Sequence, residues 1–212
     1  MKKEIVVLGS SGFAKEILYL IERINQEKEM WNILGLIDEN VGEKVYGYEI
    51  IGNDDFLCSC EKEIAVVCGI GSAKLRKKIV NKIKNNKNLY FPNIIDPSVI
   101  MPSNLVMGEG NIICAGTIIT VDVILQNFVT INLDCTIGHD SNLEDYVTLY
   151  PSVNVSGNVK IEHEVEVGTG TNIIQGIHIG QQSTIGAGTV VIRDVPQAST
   201  VVGNPARVIK SR

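Results

Sequence analysis

The sequence predicts two units in series: a small, Rossmann-like parallel α/β sheet over residues 1–92 and an all-β parallel β-helix over 93–195. A short tail, 196–212, closes the chain. Three observations carry this. An apolar run, a glycine turn and an amphipathic stripe follow one another at the start. Two further apolar runs end in acids and in glycines. From Ile95 onward an aliphatic residue recurs every six positions with no insertion.

The first unit opens on EIVVLGSSGFAKEILYLIERI. Ile5, Val6, Val7 and Leu8 read as a buried strand, because an unbroken apolar run suits a strand covered on both faces. Gly9 to Gly12 make a turn, and Ala14, Ile17, Leu18, Leu20, Ile21 and Ile24 mark the buried stripe of a helix. ILGLIDEN gives a second strand ending in Asp38 and Glu39, and EIAVVCGIG a third ending in Gly69 and Gly71. AKLRKKIVNKIKNNK follows, with Leu75, Ile79, Val80 and Ile83 at helical spacing and its basic residues on a solvated face. Strand, helix, strand, strand, helix is the order of a parallel α/β sheet.

Ligands of open parallel sheets sit beyond the carboxyl ends of the strands. Gly12, Asp38 and Gly69 fall at that edge, where a helix N-terminus offers backbone N–H groups to an anion. Most such glycines simply make tight βα turns. A redox dinucleotide is disfavoured, since the G-x-G-x-x-G fingerprint would need glycine at Ser11 and Ala14.

The hexad run passes through Ile95, Met101, Met107, Ile113, Ile119 and onward to Val191. A period of six fits neither a helix nor a simple strand, but it is the mark of a parallel β-helix. Three hexads close one triangular coil of eighteen residues, so residues 95–190 make a little over five coils. Four positions after each anchor comes a second set, from Val99 and Leu105 to Thr189, mostly small or β-branched, suited to a tight corner. An unbroken stack leaves no loop to build a pocket. A small-molecule site is therefore expected in the groove between coils of neighbouring subunits, which predicts a homo-oligomer.

Composition narrows the function. A net charge of −5 argues against nucleic acid and anionic membrane surfaces as partners. No apolar run approaches the roughly 18 residues of a membrane span. Five cysteines without a leader pattern suggest free thiols in a reducing cytoplasm. Cys58 and Cys60 form C-x-C with no second cluster, a poor metal pattern. His139, His163 and His178 are separated by 24 and 15 residues, which does not suit two zinc ligands from one stack, so no metal is expected.

GHDSNLEDYVTLYPSVNVSGNVKI and the ending IGAGTVVIRDVPQASTVVGNPARVI, joined to GSSGFAKE and LIDEN, extend the reading. Together they resemble the NeuD/PglD-type sugar acetyltransferases, over essentially the whole chain. The resemblance implies a left-handed β-helix, a homotrimer, acetyl-CoA as co-substrate and a nucleotide-linked amino sugar as acceptor, commonly in cell-surface polysaccharide biosynthesis. It implies substrate contacts at Ser11, Gly12, Phe13 and Gly69, with Asp38 and Glu39 near the nucleoside. The general base matches His139, with Asp140 raising its basicity and Asn132 at a position where the family often has asparagine. The family's second histidine, which contacts the acetyl donor, is replaced here by Thr148. Gly157, Thr169 and Ala187 match positions that contact acetyl-CoA, and Pro205 and Arg207 in the terminal NPAR lie near its nucleotide end.

The implied chemistry suits these residues. A sugar amine attacking a thioester must lose a proton, and a neutral imidazole can take it. A carboxylate beside the ring fixes its tautomer and stabilises the imidazolium. Without the resemblance, an exposed lone histidine is more often a solvated surface residue, as His163 and His178 are expected to be. Two other readings use the same fold: O-acetylation of a sialic acid or related sugar hydroxyl, and a nucleotide-sugar-binding scaffold without chemistry.

Overall fold

The computed structural model describes residues 2–211, which divide into one unit running through Pro97 and another starting at Ser98. The first contains β1 (Lys3–Leu8), α1 (Gly12–Glu27), β2 (Trp31–Ile37), β3 (Lys44–Val45), β4 (Tyr48–Gly52), α2 (Asp54–Cys58), β5 (Ile64–Cys68), α3 (Ala73–Ile83) and β6 (Leu89–Tyr90). Its six strands run in the order β3-β4-β2-β1-β5-β6. All neighbours are parallel except β3 and β4. β1 lies between β2 and β5, and its Ile5–Leu8 run is fully buried, as its apolar sequence on both faces requires. α1 buries Ala14, Ile17, Leu18, Leu20 and Ile21, while Ile24 is half-buried. Its Arg23 grips the buried carboxylate of Asp96 through two hydrogen bonds of 2.7 and 3.1 Å, and Asp96 in turn raises the basicity of the guanidinium.

The sheet is larger than the sequence reading, which held three strands. β3 and β4 form a hairpin around Tyr46 and Gly47, whose φ angles of 51° and 83° are the pair of positive values that a tight hairpin turn needs. Tyrosine in the first of these positions is an unusual choice, and the two strands are short with only Ile50 and Gly52 buried, so neither turn chemistry nor periodicity announced them. The Tyr48 hydroxyl donates to Glu22 of α1 at 3.0 Å and fastens the hairpin. The five-residue α2 was likewise missed, although Asn53 caps it by accepting from the N–H groups of Asp55 and Phe56.

α3 requires a correction. Its buried stripe is Ala73, Arg76, Val80 and Ile83, whereas Leu75 is exposed and Ile79 half-buried. Arg76 belongs to no solvated face: it is fully buried, and its Nη1 donates to the carbonyls of Ile70 and Gly71 at 2.8 and 3.1 Å. A buried guanidinium supplies the donors that those loop carbonyls, turned inward, would otherwise lack.

The second unit is a left-handed parallel β-helix of two-residue strands paired at a separation of eighteen. The first face runs from Ile118–Ile119 through Thr136–Ile137 and Asn154–Val155 to Val190–Val191. The second runs from Val106–Met107 to His178–Ile179, and the third from Ile112–Ile113 through Thr130–Ile131 and Thr148–Leu149 to Thr184–Ile185. Every anchor from Ile113 to Val191 is buried, while Met101 and Met107 in the first coil are half-buried. The corner residues from Asn111 to Thr189 are buried too. Those that are polar satisfy backbone groups: Asn111 accepts from Val129 N–H at 2.8 Å, and Ser141 donates to the Ser156 carbonyl at 3.1 Å.

One further period was not anticipated. The residue just before each corner position takes a positive φ in every hexad from Gly110 to Gly188. A non-glycine residue there costs about 1–2 kcal/mol, less for Asp and Asn. Asp122, Asp134, Asp140 and Asn158 fit that preference. Phe128 and Tyr146 do not, but their rings stack at 5.3 Å and 5° in successive coils, and both are buried.

The tail closes the last coil on all three faces. Val195 bridges Ile179, Gly203 and Ala206 bond to Val190, and Ser199–Val202 pairs parallel with Thr184–Ile185. Arg207–Ser211 then turns back antiparallel on Ser199–Val202.

Leu143, fully buried between Leu125 and Ile161 of the adjoining coils, tests the stack. Leu143→Ala should lower unfolding free energy by about 2–5 kcal/mol in denaturant titrations at fixed protein concentration.

Candidate functional site

The first unit carries a cavity of about 230 Å³ at the carboxyl edge of its sheet. Ser10, Ser11, Asp38, Glu39 and Asp54 line it together with Leu8, Gly9, Ile37, Ile70, Leu75 and Ile79. Gly9 leaves β1 at φ 101° and donates to the Ile37 carbonyl at 2.8 Å, which draws the ends of β1 and β2 together. The Asp38 carboxylate is fixed on both oxygens: Ser10 Oγ donates to one at 2.6 Å and Glu39 N–H to the other at 2.7 Å. A fixed carboxylate is an acceptor for a base N–H or a ribose hydroxyl.

Of the six residues expected to contact substrate in this unit, Ser11, Asp38 and Glu39 line the cavity. Gly12 and Phe13 form the first turn of α1 beside it. Gly69 packs on α1 instead, where a Cβ would come within 2.8 Å of the Ala14 backbone. Sequence reasoning missed Ser10, Asp54 and Ile70. It also assigned Leu75 and Ile79 to a buried stripe, when they form the apolar side of the cavity.

In the second unit His139 stands at the edge that follows the first face, with its side chain half exposed. Asp140 Oδ2 lies 2.7 Å from His139 Nδ1. Successive residues of a strand point to opposite sides. The left-handed backbone of Asp140, at φ 59°, breaks that alternation and brings both side chains outward. An ionised carboxylate only accepts, so the contact calls for a proton on Nδ1, and in the neutral form of that tautomer the lone pair lies on Nε2. One coil along, Gly157 lies under the ring, and a Cβ there would collide with Nε2.

Other candidate residues lie elsewhere on the same coil. Asn132, Thr169 and Ala187 occupy the edge that follows the third face, and Thr148 lies on that face itself. Asn132 is buried and its Oδ1 accepts from Leu133 N–H at 2.7 Å; Thr148 is buried as well. Thr169 accepts from Gly188 N–H at 2.8 Å through its carbonyl. Pro205 sits in the tail, and Arg207 opens the exposed closing strand, its Nη1 donating to the Ala206 carbonyl. One copy of the coil therefore presents His139, Asp140 and Gly157 along one edge and Asn132, Thr169 and Ala187 along another.

His178 and His163 pair with carboxylates on the second face and its edge, at 2.9 Å from Glu162 and 3.7 Å from Glu144, with Lys160 bridging both acids. A backbone bond from Gln181 and then His178 hold Glu162 below the usual carboxylate range. Among the described residues no group of three or more His, Cys, Asp or Glu is placed to hold a metal ion, and no helix is long and apolar enough to cross a membrane.

The fold is that of a hexapeptide β-helix protein with a parallel α/β sheet preceding the helix in the chain. The PglD N-terminal domain model matches residues 4–83. The acetyltransferase domain of PglB from Neisseria gonorrhoeae FA1090, in complex with acetyl coenzyme A, superposes with a TM-score of 0.91 at 26% identity, covering 99% of this chain and 100% of that one. WeeI from Acinetobacter baumannii AYE gives 0.88 at 29% identity, covering 98% and 100%. A histidine-to-asparagine mutant of perosamine N-acetyltransferase from Caulobacter crescentus, with CoA and GDP-perosamine, gives 0.89 at 26% identity, covering 98% and 97%. A sequence search of curated proteins finds no match. Residues 4–83 thus match the PglD N-terminal domain, and the whole chain is similar in structure to acetyltransferases of the NeuD/PglD type.

The thiols are the testable remainder. Burial pushes Cys68 up to about 12 and Cys135 to about 11, Cys114 is buried, and Cys58 is exposed with Cys60 half-buried. A thiol reagent near neutral pH should modify Cys58 and Cys60 in the native protein. Cys68, Cys114 and Cys135 should react only after unfolding, as peptide mass mapping would read.

Proposed function

We propose that the protein is an acetyl-CoA-dependent N-acetyltransferase whose acceptor is the amino group of a nucleotide-linked amino sugar of the 4-amino-4,6-dideoxy type. The reading is carried by one observation: the 2.7 Å contact between Asp140 and His139 Nδ1, which leaves Nε2 as a base at the coil edge. It draws further support from structural relatives, one holding acetyl coenzyme A and another holding CoA with GDP-perosamine.

Acetyl-CoA supplies the acetyl group as a thioester. His139 Nε2 takes a proton from the attacking amine as the new C–N bond forms, and Asp140 stabilises the resulting imidazolium. As the C–S bond breaks, the proton can pass from His139 to the departing sulfur, so charge and atoms balance. The acidic cavity at Asp38 and Glu39 takes the nucleoside, with Ser11, Gly12 and Phe13 close by. Gly157, Thr169, Ala187, Pro205 and Arg207 contact acetyl-CoA, Thr148 stands where a second histidine would, and Asn132 assists beside the reacting groups.

This assignment needs more than one copy. The residues given to acetyl-CoA and the base occupy two different edges of the triangular coil, so one bound molecule reaches both only where two copies meet. Ile100, Ile118, Val121 and Ile124 are exposed on the first coils, apolar surface of the kind that interfaces cover. A homotrimer satisfies both requirements. Cytoplasmic location and a role in cell-surface polysaccharide biosynthesis complete the proposal.

A thiol-release assay with acetyl-CoA and a panel of 4-amino-4,6-dideoxy sugars on UDP, GDP and dTDP tests the reaction. His139→Ala should lower kcat by about 10²–10⁴-fold, and Asp140→Asn by less, because it removes an orienting group and spares the base. Wild-type turnover by His139→Ala would sink the assignment. Asp38→Ala should raise KM for the nucleotide sugar by about tenfold or more while KM for acetyl-CoA stays near wild type. Equal rises in both would move the nucleoside site elsewhere.

A further inference from the structure

We infer that Gly157 is a positioning residue for His139: its missing side chain is the slot that seats the imidazole and keeps Nε2 open. The inference rests on His139 acting as the base, and adds a role to Gly157 distinct from any contact its backbone makes to acetyl-CoA.

The argument starts from the spacing of the coils. Val121, His139 and Gly157 occupy equivalent places in three successive coils, each eighteen residues on. Parallel strands lie about 4.8 Å apart, so outward side chains in such a column normally meet Cβ over Cβ. At Gly157 that does not happen. A Cβ built there would meet three nearest atoms, and all belong to the His139 ring: first Nε2, then Cε1 at 2.5 Å and Cδ2 at 2.9 Å. Ordinary contact needs about 3.5–4.0 Å, so the ring would have to retreat by about an ångström.

The ring has little freedom to retreat in place. Asp140 holds Nδ1 at 2.7 Å, and the Asn158 N–H donates to the His139 carbonyl at 2.7 Å. A methyl group at 157 must therefore break the carboxylate contact or stand against the Nε2 lone pair. Either outcome removes the base, although no atom of His139 or Asp140 has changed. The backbone offers no competing explanation, because Gly157 is not among the residues with positive φ. Alanine fits its conformation, and the effect of the substitution falls on the imidazole.

The test is Gly157→Ala in the intact oligomer, with Gly157→Ser as a second variant of greater bulk and far-UV circular dichroism to confirm that both fold. With histidine labelled at Cε1, the chain's three histidines give three NMR signals, and loss of one in His139→Ala assigns it. In Gly157→Ala the His139 signal should move while those of His163 and His178 stay. Its kcat should fall about 10²-fold, since a misplacement of about 1 Å costs that much, with KM for acetyl-CoA near wild type. Added to His139→Ala, the same substitution should change the residual rate little. An unmoved His139 signal, a rise confined to KM for acetyl-CoA, or full additivity in the double variant would overturn the inference. The two readings separate cleanly: a wild-type protein inert toward every acceptor fails as the proposed enzyme, whereas a His139 signal that stays unmoved in Gly157→Ala fails the seating of the ring even in an active enzyme.

Discussion

The ladder of backbone hydrogen bonds between strands that recur every eighteen residues is the constraint on which the second unit depends. Bonds such as Gly138 N–H to Val155 O at 2.8 Å and Thr148 N–H to Val165 O at 2.9 Å join each coil to the next. They hold only if every hexad contributes the same number of residues. A slip of one would send each anchor to the solvent and each exposed residue to the core. The anchors run from Ile95 to Val191 without an insertion for this reason. The same rule places chemistry: a side chain cannot move along the coil, so function is set by which column and which edge a residue occupies. His139 and Gly157 share a column, and Asn132, in another, does not reach them within one copy.

That logic explains how much was legible in the residues. The inward face of the coil could be read because burial demands one aliphatic side chain per hexad, and nothing else tolerates the position. The left-handed residue before each corner could not, because backbone shape admits Asp, Asn, Gly, Ser, Glu, Gln and even Phe128 and Tyr146 there. In the first unit the apolar run of β1 and the stripe of α1 declared themselves. The β3–β4 hairpin, short and only partly buried, had no such signature. Arg76 misled for a different reason: in sequence it is one more cation in a basic helix, and only the inward-facing carbonyls of Ile70 and Gly71 explain its burial.

The candidate sites follow the same division. His139 and its neighbour Asp140 were visible as a histidine–acid pair, and the left-handed turn that aims both outward is the physical reason their side chains meet. In the sheet, Asp38 and Glu39 were readable because they close an apolar strand at the carboxyl edge, where open parallel sheets take ligands, and because the family resemblance points to them. Ser10, which fixes the Asp38 carboxylate, was hidden among the serines of the glycine turn. Leu75 and Ile79 were assigned to the core since periodicity alone does not distinguish a buried stripe from the wall of a cavity. Partners that orient a functional group are harder to read than the group itself, because many residue types can do the orienting.

The closing tail bears on something other than catalysis. A stack of parallel strands has no natural end, and its last coil offers rows of unpaired backbone groups to any other strand. Here Val195, the Gly203–Ala206 segment and Ser199–Val202 each cover one of the three faces, and Arg207–Ser211 reverses direction on the outermost of them. An antiparallel strand cannot template another coil of the same hand, and Arg207 and Lys210 add charge to the exposed rim. The segment from Val195 to Ser211 thus occupies the edges that an open last coil would offer to a foreign strand, the kind of pairing from which fibres grow.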